Sequence, residues 1–179
     1  AGRVPVQAPV MVCDIEVEAR ASMSDPYMSA VIVDEAYVAL PADADKRSVI
    51  RQLAGSLAAA GKLADDQVDD VVEGAMAREA IGSTGIGHGI AIPHCRTDVV
   101  DEIVCAYGHC SDGVDFDSLD GEPVHSVFLL LTPPARKEQH LALMKNFASQ
   151  IRKDHFCDFL QQSGDSRSLV DLLAEFEGR

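Results

Sequence analysis

Four glycines between Gly82 and Gly89 separate two parts of the chain that differ in hydrophobic pattern. They lead into the apolar run Ile90–Ile92, which Pro93 ends. Glycine frees the backbone for tight turns and proline cannot donate to a sheet, so this segment predicts a loop followed by a short buried strand. Apolar residues recur at helical spacing before it, and strand-like runs follow it. These patterns restrict the fold to helices packed on a sheet.

Two helices are predicted before the glycine segment. Asp45 is a candidate N-cap for the first helix, whose apolar positions keep helical spacing until Gly61 interrupts them. The second helix begins near Asp66 and ends near Glu79. Aspartates gather at its start, where the helix dipole favours negative charge.

Strands and further helices are predicted after the glycine segment. The strand-like runs are Glu102–His109 and Val124–Leu131, and the helical patterns cover residues 137–151, 154–162 and 169–176. For the first of these helices we expect an inward stripe made of Leu141, Met144, Ala148 and Ile151. Helices, then strands, then helices describe a helix-flanked sheet, which is α/β in class.

The first thirty residues differ in sequence pattern from the rest of the chain. Residues Asp14–Arg20 alternate apolar and charged side chains, which predicts a short strand. The segment is compatible with an upstream extension, a cloning remnant or the tail of another domain, and the sequence does not choose between them. We therefore divide the chain into an extension of unknown role, residues 1–30, and one domain, residues 31–179.

The charge of the chain limits its partners. The 29 Asp and Glu residues outnumber the 15 Lys and Arg residues, for a net charge of −14. Without a basic block, the chain is poorly suited to phosphate backbones of nucleic acids or to anionic lipid. The longest apolar run, Val127–Leu131, is far shorter than the ~20 residues of a membrane span, and no signal peptide is visible. We expect a cytoplasmic protein with no membrane insertion.

The five cysteines form no CxxC pair and are odd in number. A disulfide framework belongs to small secreted domains with even counts, so we expect reduced and mostly buried thiols. A zinc site built from Cys95, Cys105, Cys110 and nearby histidines is an alternative, although these spacings fit none of the usual ligand patterns.

The glycine segment matches no nucleotide-binding or hydrolase motif. No lysine follows the glycines as in a P-loop, their spacing is not GxGxxG, and Ser83 does not lie in a GxSxG elbow. Two interpretations remain on spacing alone. Either the glycines turn the chain and His94 packs in the interior, or the loop surrounds an oxyanion and His94 reacts at the end of the strand.

The distribution of carboxylates favours the second interpretation. The 18 residues from Ala80 to Thr97 contain no Asp or Glu, where the average composition would place about three. Arg78 and Arg96 flank this window. A site for a dianionic phosphoryl group would exclude carboxylates in this way.

The segment R-E-x-x-G-S-T-G-I-G-x-G-I-A-I-P-H, residues 78–94, closely resembles the signature of type 2 EIIA domains of the bacterial phosphoenolpyruvate-dependent sugar phosphotransferase system. This is the fructose and mannitol class, which also contains the nitrogen-regulatory proteins. The resemblance covers residues 31–179 and includes His140 and Met144 on a predicted helix. Cys95 departs from the family, which usually has a small residue after the histidine; a thiol there would offer redox sensitivity.

The resemblance implies a single domain with a mixed β-sheet flanked by helices. It identifies His94 as the acceptor of a phosphoryl group, Arg78 as the cation that binds it and His140 as a second histidine that donates a hydrogen bond to it. Ser83 and Thr84 are candidates for further phosphoryl-binding donors. No metal or organic cofactor is implied, because the phosphoryl donor is another protein.

The implied activity is that of a phosphotransferase. The chain would accept a phosphoryl group from HPr or a paralogue and pass it to an EIIB domain, in sugar uptake or in nitrogen-type regulation. The alternative is a regulatory binding module, whose phosphorylation switches its protein partners without onward transfer. Because the chain is acidic, we expect its phosphoryl donor to dock with a basic face, at a rate that falls as salt rises.

Overall fold

The computed structural model describes residues 26–178. Within them the helices are α1 (Met28–Val31), α2 (Lys46–Ala59), α3 (Val68–Glu79), α4 (Lys137–Ile151), α5 (Phe156–Gln162) and α6 (Ser166–Glu177). The strands are β1 (Ile32–Ala39), β2 (Gly85–Gly87), β3 (Ile90–Ala91), β4 (His94–Arg96), β5 (Val104–Val114) and β6 (Val124–Thr132). The short strand predicted at Asp14–Arg20 lies outside the described residues.

The six strands form one mixed sheet, in the order β1-β5-β6-β3-β2, with β4 also paired to β6. β1 is parallel to β5, and β3 and β4 are parallel to β6, whereas β5 and β6 are antiparallel. The prediction of an α/β fold with a mixed, helix-flanked sheet is therefore confirmed.

Strand β5 shows how one sheet separates two helical layers. Val104 and Ala106 pack in a cluster with residues of α2 and α3. Cys105 and Tyr107 point to the other face and pack with residues of α4, α5 and α6. Side chains of a strand alternate between the two faces of the sheet. A strand that is covered on both faces therefore has a continuous run of apolar residues in its sequence. The chain thus forms three layers, with the sheet between two layers of helices.

The helices largely follow their sequence signals. The side chain of Asp45 accepts a hydrogen bond from the backbone N–H of Ser48, which confirms the predicted N-cap of α2. The expected inward stripe of α4 is confirmed at Met144 and Ile151, which pack against the buried cluster on that face of the sheet, and wrong at its other two positions. Leu141 and Ala148 are exposed, and the buried positions are His140, Leu143, Phe147 and Gln150.

Every helix within residues 26–178 is too short or too polar to cross a lipid bilayer.

The glycine segment contains more strand than its sequence indicates. Gly85–Gly87 forms β2, which pairs antiparallel with β3 through glycines that no side-chain pattern marks. Pro93 lies between β3 and β4, both of which pair with β6, and this pairing resumes at His94. The carbonyl of Pro93 still accepts from Leu130 N–H at 2.9 Å, because proline lacks a donor but keeps its acceptor. His94 consequently lies just after a break in strand pairing, at the start of β4, which contacts α3.

Candidate functional site

Arg78, His94 and His140 meet in a cleft of about 270 Å³. Arg78 comes from the last turn of α3, His94 from the start of β4 and His140 from the first turn of α4. Gly74, Cys95 and Arg96 complete the lining. The three residues that the family resemblance singled out as acceptor, cation and second histidine are therefore brought together from three separate parts of the chain.

Two hydrogen bonds fix the protonation of the His94 ring. The Nε–H of Arg78 lies 3.2 Å from His94 Nε2, and a guanidinium only donates, so Nε2 accepts. The other ring nitrogen, Nδ1, lies 2.9 Å from the carbonyl oxygen of Ile92, which only accepts. Nδ1 therefore carries the proton, and the lone pair of Nε2 faces Arg78 and the cleft.

The surroundings of His94 keep its ring neutral. Burial, with the positive charges of Arg78 and Arg96, holds the pKa of His94 below its ordinary value of 6.5. A neutral imidazole has a nucleophilic lone pair near pH 7. The lining contains no carboxylate, and among the described residues neither arginine forms an ion pair. A guanidinium N–H of Arg78 instead donates to the carbonyl of Gly82 at 2.9 Å. Among the described residues, therefore, no carboxylate neutralises the positive charge of either arginine.

A chain of hydrogen bonds connects the end of α3 to His94. The buried carboxylate of Glu79 accepts from both the backbone N–H and the hydroxyl of Thr84. The carbonyl of Thr84 accepts from Ile92 N–H at 3.0 Å, and Ile92 in turn accepts from His94 Nδ1. Lys46 pairs with Glu79 at 3.2 Å and compensates its buried charge. The loop geometry thereby sets the position of the imidazole.

The structure does not bring Ser83 and Thr84 to the cleft. The hydroxyl of Ser83 donates to the carbonyl of Phe116 at 2.8 Å, and that of Thr84 donates to Glu79. Since each hydroxyl has one proton, neither is available to a phosphoryl oxygen in this arrangement. Both residues stabilise the loop that carries the site.

The ring of His140 is hydrogen-bonded to a residue of β6. Its Nδ1 lies 3.0 Å from the hydroxyl of Thr132, the last residue of that strand. Its ring lies 5.2 Å from the ring of His94, measured between centroids. Burial, with smaller contributions from His94 and Arg96, lowers the pKa of His140 to about 4, so this ring is also neutral at pH 7.

The cysteines within the described residues are free, and those of the sheet are buried. Burial raises the pKa of Cys95 to about 11, which leaves little thiolate for oxidation. In residues 26–178 no group of three or more His, Cys, Asp or Glu side chains is arranged to hold a metal ion, so the alternative zinc site at Cys95, Cys105 and Cys110 is not assembled there. His88 is exposed on the glycine segment.

Sequence reasoning gave no role to Glu79, Arg96 or Thr132. Glu79 is the last carboxylate before the carboxylate-free window, and Arg96 is the cation at its other end. Thr132 is a polar residue that directly follows the apolar run of β6. These signals were visible in the sequence, but only the fold shows that all three side chains act on one cleft or its supporting loop.

Comparison with known proteins places this geometry in a family. Residues 31–176 match the sequence profile of "Phosphoenolpyruvate-dependent sugar phosphotransferase system, EIIA 2". A nitrogen regulatory protein of Pseudomonas aeruginosa is 36% identical over 132 residues, which are 74% of this chain and 84% of that protein. A fructose-specific EIIA component of the phosphotransferase system from Haloferax volcanii is 30% identical, with the same coverage of both chains.

The fold leads to the same family. The crystal structure of the nitrogen regulatory protein IIA-Ntr from Neisseria meningitidis superposes with a TM-score of 0.72 at 27% identity, and it covers 81% of this chain and 97% of that one. A profile match over most of the chain, relatives at 30% identity or more and a shared fold agree. The chain belongs to the EIIA type 2 family of the phosphoenolpyruvate-dependent sugar phosphotransferase system.

Proposed function

We propose that this chain is a phosphohistidine relay. His94 accepts a phosphoryl group from an HPr-like phosphocarrier protein and passes it to an EIIB domain. The observation that carries the proposal is the pair of hydrogen bonds at His94. Arg78 points a permanent cation at Nε2, while Ile92 holds the only ring proton on Nδ1. The nucleophilic nitrogen and a phosphoryl-binding cation therefore face the same carboxylate-free cleft.

The transfer needs little covalent chemistry from the protein. The lone pair of His94 Nε2 forms the new N–P bond as the donor's N–P bond breaks and its electron pair returns to the donor imidazole. Nδ1 keeps its proton, and the positive charge that develops on the ring is stabilised by the Ile92 carbonyl. Arg78 turns from Nε2 to the phosphoryl oxygens, with Arg96 as a second cation at the rim. Positioning and charge stabilisation dominate such loose transition states.

A regulatory role is the second candidate. Two proteins that resemble this chain are named as nitrogen regulatory proteins, at 36% and 27% identity. In that role the same cleft is phosphorylated, and the phosphoryl group on His94 changes which protein binds, with no transfer to an EIIB domain. Residues 31–179 would serve as the domain in both cases.

Reconstitution separates the two candidates. The chain is incubated with labelled phosphoenolpyruvate, Enzyme I and HPr, and then with purified EIIB domains. We expect an acid-labile label on the chain that moves to at least one EIIB domain. A label that enters the chain and reaches no EIIB domain would exclude the relay and favour the regulatory module.

A matched pair of variants tests the acceptor. His94→Ala removes the nucleophile and should abolish the label. His88→Asn removes an exposed histidine six positions away, and asparagine tolerates the positive φ of 57° found there. This variant should be labelled like the parent chain. Equal labelling of both variants would show that the acceptor lies elsewhere.

A further inference from the structure

Thr132 is a buried hydroxyl with one partner. It is 0% exposed, and among the described residues its Oγ1 contacts a single polar atom, Nδ1 of His140. It ends β6, where its carbonyl accepts from Thr97 N–H at 3.0 Å and its backbone is in register with Arg96 of β4. Both neighbours fix the backbone of Thr132, so the hydroxyl has a defined position behind the His140 ring.

This contact can be made with two arrangements of protons. If His140 carried its proton on Nδ1, the Thr132 oxygen would accept it, and the hydroxyl's own proton would have no acceptor in the interior. If Thr132 donates to Nδ1, every polar atom of the contact is satisfied, and the His140 proton lies on Nε2. An unpaired buried donor disfavours the first arrangement by about five- to a hundred-and-fiftyfold.

We propose that Thr132 is a positioning residue, which holds His140 in the tautomer with its proton on Nε2 and thereby supplies the cleft with a neutral N–H donor. This inference rests on the proposed function, since the donor is needed for a phosphoryl group on His94. It assigns the two histidines opposite tautomers. His94 offers a lone pair from Nε2, because Ile92 takes its Nδ1 proton, and His140 offers a proton from Nε2, because Thr132 satisfies its Nδ1.

The two neighbouring neutral rings have different roles because the hydrogen-bond partner of one accepts a proton and the partner of the other donates one. A carbonyl oxygen only accepts, so it selects the Nδ1–H form of His94. A hydroxyl whose proton has no other acceptor selects the Nε2–H form of His140. The rings lie 5.2 Å apart and share the cleft, and so one presents a nucleophile where the other presents a donor.

Nitrogen NMR of the uniformly labelled full chain tests the tautomer without any transfer reaction. At pH 7 the chemical shifts should show a protonated Nε2 on His140 and a protonated Nδ1 on His94. Thr132→Val, which keeps the shape but removes the hydroxyl, should produce a detectable Nδ1–H population at His140. Thr132→Ser should restore the parent spectrum. A protonated His140 Nδ1 in the parent chain, or an unchanged His140 spectrum in the valine variant, would overturn the proposal.

Transfer kinetics test whether the tautomer matters. Thr132→Val should slow phosphoryl uptake about ten- to a hundredfold, by analogy with the loss of a hydrogen-bond partner that orients a metal-binding histidine, and Thr132→Ser should recover most of the rate. In a His140→Gln background the glutamine side chain provides its own N–H donor, so Thr132→Val should then have little effect. Equal losses in both backgrounds would mean that Thr132 does not act through His140.

The NMR experiment and the transfer experiment together distinguish failure of this inference from failure of the proposed function. If the parent chain accepts no label from phospho-HPr, the relay is excluded, and the NMR spectra still decide whether Thr132 sets the tautomer. If label is accepted and moves on to an EIIB domain while the His140 spectrum is insensitive to Thr132→Val, the relay stands and the positioning role is wrong.

Discussion

Replacing Glu79 by alanine removes the carboxylate on which the loop beneath His94 depends. Glu79 is 7% exposed and accepts from the backbone N–H and hydroxyl of Thr84, and it pairs with Lys46 at 3.2 Å. The variant leaves two buried donors of Thr84 without an acceptor. Among the described residues, Lys46 then keeps the exposed carboxylate of Asp117 at 3.0 Å and the ring of Phe116, whose centroid is 4.9 Å from Nζ.

The expected loss of stability is large because the contacts are buried. Removing one member of a buried ion pair costs about 3–5 kcal/mol, and hydrogen bonds to a charged group contribute about 1.5–3 kcal/mol each, so both routes lead to a similar figure. We therefore expect Glu79→Ala to lower the free energy of unfolding by about 3–5 kcal/mol. For a chain of this size, that lowers the melting temperature by roughly 6–20 °C.

Urea denaturation measures the effect, and Glu73 provides the control. Glu73 lies on the same helix and also pairs with a cation, Arg47, but both side chains are exposed. Glu73→Ala should leave the denaturation midpoint nearly unchanged. Amide hydrogen exchange should accelerate at Thr84 and Ile92 in the Glu79 variant alone. A loss below about 1 kcal/mol for Glu79→Ala, or equal losses for the two variants, would refute the role of this carboxylate.

Three further predictions concern titration, thiol reactivity and docking. Because the pKa of His140 falls from 6.5 to about 4 on folding, its neutral ring contributes stability that is complete above about pH 6.5 and is lost as pH falls towards 4. Urea titrations from pH 7.5 to 4 should therefore show a shallower loss for His140→Gln than for the parent chain; parallel curves would contradict the shift. At a pKa of about 11, Cys95 is about one-thousandth thiolate at pH 8, so peptide-resolved alkylation should label it more slowly than the half-buried Cys157. Faster labelling of Cys95 would revive a redox role. The rate of phosphoryl uptake from HPr should fall as ionic strength rises, and an insensitive rate would count against electrostatic docking.

The residues of the candidate site were largely identifiable from the sequence because their signals are local. Arg78 and His94 belong to one continuous segment, and the absence of carboxylates from Ala80 to Thr97 is visible without any fold. The α/β class followed from hydrophobic periodicity, which depends on burial on one or two faces. His140 was identified through its resemblance to a family motif, since a histidine near apolar residues of a helix is by itself compatible with simple packing.

The remaining features depend on contacts between distant parts of the chain. The hydroxyls of Ser83 and Thr84 looked available for an oxyanion, but Phe116 and Glu79 take their protons, and sequence spacing does not reveal such partners. The inward face of α4 was partly misplaced because the prediction used apolar residues alone, whereas the fold also buries the polar residues His140 and Gln150. The extent of strand pairing within the glycine segment was hidden because glycine has no side-chain pattern to read.

The most direct test of the account is to locate the bond to phosphorus. The ¹⁵N-labelled chain is phosphorylated by phosphoenolpyruvate, Enzyme I and HPr, and the nitrogen that couples to ³¹P is assigned by NMR. We predict one phosphoryl group, bonded to Nε2 of His94, with Nδ1 still hydrogen-bonded to the Ile92 carbonyl. Phosphorus bonded to Nδ1 of His94, or to any residue other than His94, would contradict it.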